Sequence, residues 1–255
     1  MAKLRLDQLL VNRGLAPTRA KAQAIILAGD VLVAGQRQDK AGTLVAEDVT
    51  LELRQAPNPY VSRGGLKLEG ALDDLAVTVA GLRCLDVGAS TGGFTDCLLQ
   101  RGAAHVVAVD VGYGQLAQKL RDDPRVTVLE RTNARALTAE AIGGAADLTV
   151  VDASFIGLGK LAAGLARCTR GGGHLVALIK PQFEVGRDEA SRGRGVVRDP
   201  TVRATAIAAA AAEVESAGFV VVRLVDCRVP GPKGNVEAFV LAVRRDDPER
   251  DTRAC

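Results

Sequence analysis

Two apolar runs in this sequence end in a charge: Val150-Val151-Asp152 and Leu178-Ile179-Lys180. An apolar strand that stops in an acid or a lysine delivers that charge to the carboxyl edge of a sheet, where open α/β sheets keep their chemistry. Glu237 follows the turn Gly231-Pro232-Lys233-Gly234-Asn235, near the start of the last strand. If that strand runs antiparallel, its start lies on the same edge. A fourth charge, Lys67, lies in Val61-Ser62-Arg63-Gly64-Gly65-Leu66-Lys67-Leu68-Glu69. Two amines oriented by two carboxylates suit removal of a proton from a hydroxyl. A lysine with an ordinary pKa of about 10.4 becomes a base when partial burial and a second cation lower it. Taken singly, Lys67 would usually be a solvated helix residue and Glu237 a surface acid. Asp152 and Lys180, on buried strand ends, would not.

A glycine-rich turn lies upstream, in Leu85-Asp86-Val87-Gly88-Ala89-Ser90-Thr91-Gly92-Gly93-Phe94. Glycines admit positive φ and close backbone approach, so a ligand can sit against such a turn. The pattern is Gly88-x-Ser90-x-Gly92-Gly93 rather than G-x-G-x-x-G, and Asp86 sits two residues before the first glycine. A carboxylate there repels a pyrophosphate and suits a cationic ligand that carries an ammonium, such as S-adenosylmethionine. Asp110 ends the next strand, where an acid accepts both ribose hydroxyls of an adenosine cofactor. Val111 is placed to line an adenine pocket, and Asn133 to meet the adenine edge.

These groups need a scaffold. Strands are expected over 83–87, 105–110, 126–130, 147–152, 174–180, 219–226 and 236–243. Helices are expected near 94–101, 115–121, 138–142, 158–167 and 200–217, the last opened by the cap Asp199 and by Pro200. Alternating β and α elements imply a mostly parallel, doubly wound sheet. Before them, Gln55-Ala56-Pro57-Asn58-Pro59 reads as a linker. Domain boundaries follow: a small α+β unit over 1–55, a linker over 56–62, the α/β domain over 63–245 and a frayed charged tail over 246–255. In the first unit, helices are expected over 4–13 and 18–28, the second capped by Thr18 and ended by Gly29, with strands at 31–33 and 49–53.

Net charge is only +3, so the position of charge matters more than its sum. Residues 1–21 carry Lys3, Arg5, Arg13, Arg19 and Lys21 against the single acid Asp7. Residues 1–59 contain no aromatic side chain. Phosphate and shape contacts by Arg and Lys therefore fit this unit better than base stacking. Five cysteines without a C-x-x-C pair and two distant histidines, His105 and His174, argue against a metal site or a disulfide framework. No run approaches the length of a membrane span, and no signal peptide opens the chain. The expected location is the cytoplasm.

At this point a family resemblance is evident. Residues 60–245 resemble the FtsJ-like ribose methyltransferases. The set Ser62-Arg63-Gly64-Gly65, Asp86–Phe94, Asp110–Gly114, Glu130–Asn133, Lys180–Glu184 and Gly234–Glu237 is similar to the TlyA family of rRNA cytidine-2′-O-methyltransferases, historically called haemolysins. The resemblance implies a Rossmann-like class I methyltransferase with a seven-stranded sheet whose last strand is antiparallel. It implies a catalytic tetrad on Lys67, Asp152, Lys180 and Glu237, with S-adenosylmethionine held by Asp86, Gly88, Ser90, Gly92, Gly93, Phe94, Asp110, Val111, Asn133 and Phe155. The first unit resembles the small RNA-binding fold of the ribosomal-protein-S-four type through Arg5, Asp7, Arg13-Gly14, Thr18-Arg19 and Gly29-x-Val31-x-Val33. It implies RNA contacts by Arg5, Arg13, Arg19 and Lys21, joined by Arg63, with ribosomal RNA or ribosomal subunits as partner. No metal and no protein partner are expected. Where some relatives carry Arg-x-Trp-Val before the methyltransferase domain, this chain has Asn58-Pro59-Tyr60-Val61, a departure that bears on any coupling through the linker. Arg187, Arg192, Arg194 and Arg198 mark either a loop that closes over RNA or a solvated one.

Three other readings compete. A non-enzymatic assembly factor with a relic cofactor loop conflicts with the intact set Asp86, Asp152, Lys180 and Glu237. A membrane-lytic protein lacks a span or a strongly amphipathic cationic helix. A base methyltransferase of the Pro-Cys type lacks its nucleophile.

Overall fold

The computed structural model describes residues 3–27, 29–54, 58–185, 195–231 and 233–246. They form two compact units, Met1–Pro59 and Tyr60–Cys255.

The first unit runs β1 (Lys3–Arg5), α1 (Leu6–Asn12), α2 (Arg19–Leu27), β2 (Val31–Val33), β3 (Gln36–Gln38), β4 (Leu44–Ala46) and β5 (Leu51–Leu53). Leu6, Leu9 and Leu10 on one face of α1 pack with Ala22 and Ile26 of α2 and with Val31 and Val45. Burying each such leucine stabilises the unit by about 1.5–3 kcal/mol, which a fold this small needs. Thr18 Oγ1 accepts from the Lys21 amide, the expected cap of α2, and Gly29 beyond it has φ +75°. β2 and β3 form a hairpin across Ala34-Gly35, both at positive φ (49° and 78°), the twist a two-residue hairpin requires. The three-residue strands β1, β3 and β4 were not expected. Polar stretches such as Gln36-Arg37-Gln38 show no alternation, and only pairing with β2 or β4 makes them strands.

The second unit runs α3 (Arg63–Asp74), β6 (Arg83–Val87), α4 (Gly93–Gln100), β7 (His105–Val109), α5 (Gln118–Arg121), β8 (Val126–Leu129), β9 (Ala146–Val151), α6 (Gly159–Cys168), β10 (Thr169–Ile179), α7 (Pro181–Glu184), α8 (Pro200–Ser216), β11 (Phe219–Asp226) and β12 (Ala238–Arg244). The sheet order is β11-β12-β10-β9-β6-β7-β8. β12 is antiparallel to both neighbours, and the pairs among β6 to β10 are parallel. This is the expected seven-stranded, mostly parallel sheet. Alternate residues feed two cores: Val106, Ala108, Phe239 and Leu241 pack with Leu68, Leu72 and Leu98 of α3 and α4. Val107, Val109, Val240 and Ala242 pack with Leu161 and Leu165 of α6 and Ile207 and Val214 of α8. Burial on both faces is why these strands read as near-continuous apolar runs.

Three elements differ from expectation. The helix near 115–121 is a single turn, and 138–142 holds only a 3₁₀ turn at Glu140–Ile142, closed by Gly143 and Gly144 at positive φ. Helix α3 was not expected, and Tyr60, Val61 and Ser62, placed in the linker, lie in the second unit. Ser62 Oγ accepts from the Gly64 amide to open α3, and Asp199 caps α8 through the amides of Thr201 and Val202 with Pro200 first in the helix.

Candidate active site

β6 ends at Val87, and the chain turns through Gly88–Gly92 into α4. Gly88 has φ +84°, and a Cβ there would stand 2.8 Å from the Asp152 carbonyl oxygen, so only glycine lets the turn pass the end of β9. Gly92 and Gly93 are glycine for a different reason than ligand approach. A Cβ on Gly92 would meet Leu116 and Leu120, and one on Gly93 would stand 2.2 Å from Ser62 Oγ. The turn is packed against its own protein on that side.

A cavity of about 390 Å³ lies against the turn, within the size range of small-molecule sites. Gly88, Ser90, Gly93 and Phe94 line it, and so do Lys67, Asp152, Ser154, Lys180 and Arg63. The glycine turn and three of the four expected catalytic side chains therefore share one space. Glu237, 1% exposed, joins through Lys67, whose Nζ donates to Glu237 Oε2 at 2.6 Å. Lys180 Nζ lies 2.6 Å from Asp152 Oδ1, a close charge contact without hydrogen-bond alignment, and donates an aligned hydrogen bond to Ser154 Oγ at 2.8 Å. Gln182 Nε2 donates to Glu237 Oε1 at 3.4 Å. Each lysine thus has its own carboxylate, and burial of the Lys67–Glu237 pair makes that geometry costly to break.

Asp86 is fully buried. Its Oδ2 accepts from Thr95 Oγ1 at 2.6 Å, while Oδ1 has no partner. Burial lifts the carboxyl to about 7, against the Thr95 hydrogen bond and with the help of Asp152. An orphaned buried acceptor beside the turn, and a cavity of cofactor size, fit a ligand that brings a cation. Asp110 is already engaged: Oδ2 accepts from the Ser90 amide at 2.8 Å and Oδ1 from the Gly112 amide at 2.7 Å. Both bonds are to backbone, so the carboxylate is held at the end of β7 with lone pairs left for hydroxyls. Val111 is 74% exposed next to it. Asn133 Oδ1 caps the 3₁₀ turn Ala134–Ala136 through the Arg135 amide. Phe155 is 91% exposed, at φ +64°, with its ring centroid 5.2 Å from that of Phe183. It is not among the residues lining the cavity.

In the first unit, Asp7 is buried and accepts from Arg5 Nε and Nη2, Arg19 Nε and Gln23 Nε2. The Arg5 guanidinium holds its carboxyl well below the usual range, with help from Gln23 and Arg19 against the opposing effect of burial. Arg5 and Arg19 remain about half exposed. Arg13 is exposed and donates to the carbonyls of Val49 and Glu47. Lys21 is half-buried, Arg63 is exposed with a 3.4 Å bond to the Pro230 carbonyl, and Arg198 is exposed. Arg187, Arg192 and Arg194 lie outside the described residues.

The four cysteines among the described residues are packing groups: Cys84, Cys97, Cys168 and Cys227 are free and buried, and burial pushes the Cys84 and Cys97 thiols up to about 12. His105 bonds Thr127 Oγ1 at 3.0 Å, and burial lowers its pKa. Ser154, Gln182 and Thr95 were missed in the sequence. Only Ser154 carried a signal, its place two residues after Asp152.

The order of the sheet, its one antiparallel strand and the glycine turn over a carboxylate define a Rossmann-like methyltransferase. Residues 60–244 match the model of the FtsJ-like methyltransferases, and residues 4–51 match the S4 domain. The chain belongs to the FtsJ-like methyltransferase family, in its TlyA branch, a family that uses S-adenosylmethionine. It is 51% identical over 239 residues to the 16S/23S rRNA (cytidine-2′-O)-methyltransferase TlyA of Mycobacterium tuberculosis, covering 93% of this chain and 89% of that one. It is 40% identical to Hemolysin A of Brachyspira hyodysenteriae, covering 92% and 97%. A solved structure from Streptococcus thermophilus, 39% identical, superposes with a TM-score of 0.75 over 97% of this chain and 90% of that one. No helix among the described residues is long and apolar enough to cross a membrane.

Proposed function

We propose that this chain methylates the ribose 2′-hydroxyl of a cytidine in ribosomal RNA, in the small subunit, the large subunit or both, and that it acts in the cytoplasm. The observation that carries the reading is the pairing of Lys67 with Glu237 and of Lys180 with Asp152 around a cavity that the glycine turn also lines. The similarity to the rRNA (cytidine-2′-O)-methyltransferase of Mycobacterium tuberculosis supports the choice of acceptor. S-adenosylmethionine, when bound, supplies an electrophilic methyl group. Asp86, Gly88, Ser90, Gly93, Phe94 and Asp110 would hold it: Oδ1 of Asp86 for the ammonium, Asp110 for the ribose, the turn for close approach.

The protein's own work is positioning and one proton transfer. Lys180, steadied by Asp152 and having first released its own ammonium proton to solvent, takes the proton from the acceptor hydroxyl as its oxygen becomes the nucleophile. Lys67, held by Glu237, supplies a fixed positive charge beside the developing oxyanion. Arg5 and Arg19, presented by Asp7, hold RNA phosphates, with Lys21 and Arg63 adding charge.

Transfer of a tritiated methyl group to purified ribosomal subunits tests the reading. Incorporation that resists mild alkali at the ribose and vanishes in Lys180→Ala supports it. Incorporation into a base, or none, overturns it.

A further inference from the structure

We infer that Ser154 is a positioning residue for Lys180, fixing the direction in which the lysine presents its free valence to the acceptor. The inference rests on the methyl-transfer reading above.

The contacts of Lys180 carry the argument. Its Nζ has two close neighbours, Asp152 Oδ1 at 2.6 Å and Ser154 Oγ at 2.8 Å. Only the second is an aligned hydrogen bond, since Asp152 Oδ1 has no hydrogen-bond partner. Charge attraction falls slowly with angle, whereas a hydrogen bond weakens steeply when bent. Asp152 therefore sets where the ammonium sits, and Ser154 sets how it is turned. Lysine reaches its site through four rotatable bonds and is poorly directed by charge alone. Near-attack geometry depends on direction as well as distance.

The loop that carries Ser154 also contacts the element after Lys180. Phe155, the next residue, sits in the left-handed region at φ +64°. Phe155 is 91% exposed, so burial does not hold that conformation. Two contacts link its loop to the element that follows Lys180. The Phe155 ring lies 5.2 Å from Phe183, and Glu184 Oε1 accepts from the Leu158 amide at 2.9 Å. The loop after β9 and the helix after β10 are thus tied together just beyond the Ser154–Lys180 bond. Ser154 also lines the cavity with Lys180 and Asp152.

Ser154→Ala and Ser154→Thr test the inference on the full chain, with ribosomal subunits as acceptor. For Ser154→Ala, kcat falls by about tenfold or more, while KM for subunits and for S-adenosylmethionine stays within about twofold. Ser154→Thr restores most of kcat because it keeps the hydroxyl. A second readout needs no turnover. Labelling by acetic anhydride, followed by mass spectrometry, shows Lys180 in Ser154→Ala reacting faster than in the parent protein, relative to the other lysines. A Ser154→Ala enzyme with parent kcat, or a loss confined to KM, or unchanged Lys180 labelling overturns the inference. An inactive parent protein overturns the methyl-transfer reading instead, so the two failures are distinct.

Discussion

Lys67 Nζ and Glu237 Oε2 stand 2.6 Å apart across 170 positions of sequence, on a buried contact between α3 and the segment entering β12. Neither residue is on a strand end that announces itself, yet the pair completes the charged wall of the cavity. Removing one partner strands the other charge in a place with almost no water. Lys67→Met and Glu237→Gln are each expected to destabilise the second unit, by about 3–5 kcal/mol for the loss of the lysine, and to lose methyl transfer. The double variant Lys67→Met/Glu237→Leu recovers much of the stability and none of the activity. Urea unfolding beside a methylation assay separates the two roles. A double variant as unstable as Lys67→Met alone would contradict the pairing.

Asp86 gives a pH dependence with a definite sign. Its folded pKa is about 7, whereas an unfolded aspartate titrates near about 3.9. Between those values the folded chain keeps a proton that the unfolded chain has released, so this group makes stability fall as pH rises through that window and then level off. Asp86→Asn should gain stability over the parent at pH 8 and much less at pH 4. It should also bind S-adenosylmethionine more weakly, because a cation opposite Oδ1 favours the carboxylate. In the parent, cofactor affinity rises with pH through about 7, and calorimetry in buffers of different ionisation heat detects the released proton. Flat affinity across pH 6 to 8 would sink this assignment.

Gly88→Ala and Gly81→Ala separate backbone strain from collision. Both glycines have positive φ, at +84° and +78°. A Cβ on Gly81 meets nothing within 4 Å, but one on Gly88 meets the Asp152 carbonyl at 2.8 Å. Each substitution costs about 1–2 kcal/mol of left-handed strain. Gly88→Ala should lose more than that, together with cofactor affinity and turnover, since Asp152 must move. Gly81→Ala should keep both. Thermal melts and cofactor titrations decide, and equal effects at the two sites would contradict the close approach.

Asp7 makes the RNA face of the first unit testable against simple charge counting. Asp7→Asn removes a negative charge from a basic surface, so charge alone predicts tighter RNA binding. Its role as the anchor of Arg5 and Arg19 predicts weaker binding, because both side chains regain freedom. Filter binding to ribosomal subunits at fixed salt reads the sign. The same carboxyl is held below its ordinary range, so its stabilising effect is present above about pH 3.9 and is lost as pH falls further. Acid unfolding of the first unit should therefore be weaker in Asp7→Asn.

The sheet was legible because its strands are buried on both faces and bounded by glycine and charge: Arg83–Val87 and Phe219–Asp226 match expectation residue for residue. Helix α3 was legible in principle. Ser62 caps it, and Leu68, Leu72 and Leu75 recur at helical spacing along its buried face. Its three glycines and its place next to two prolines obscured that pattern. The short strands of the first unit were not legible, because pairing rather than local pattern makes them. In the site, Asp152 and Lys180 stood out because charge rarely follows a buried apolar run. That Lys67 meets Glu237, and Lys180 meets Ser154, depends on distances between elements far apart in the chain, which no local pattern encodes. Arg13 shows a further limit: its sequence position suggested RNA, while its exposed guanidinium also donates to the carbonyls of Glu47 and Val49, a contact no local pattern encodes.

Whether Lys180 and its partners direct a methyl group to a ribose hydroxyl of ribosomal RNA is read by a map of ribose methylation, by resistance to alkaline cleavage, on ribosomal RNA from cells lacking this protein, complemented with the parent or with Lys180→Ala. A cytidine that is cleaved in the deletion strain, protected by the parent and left cleaved by Lys180→Ala is the expected result. Full protection by Lys180→Ala, or a ribose map that the deletion leaves unchanged, would contradict it.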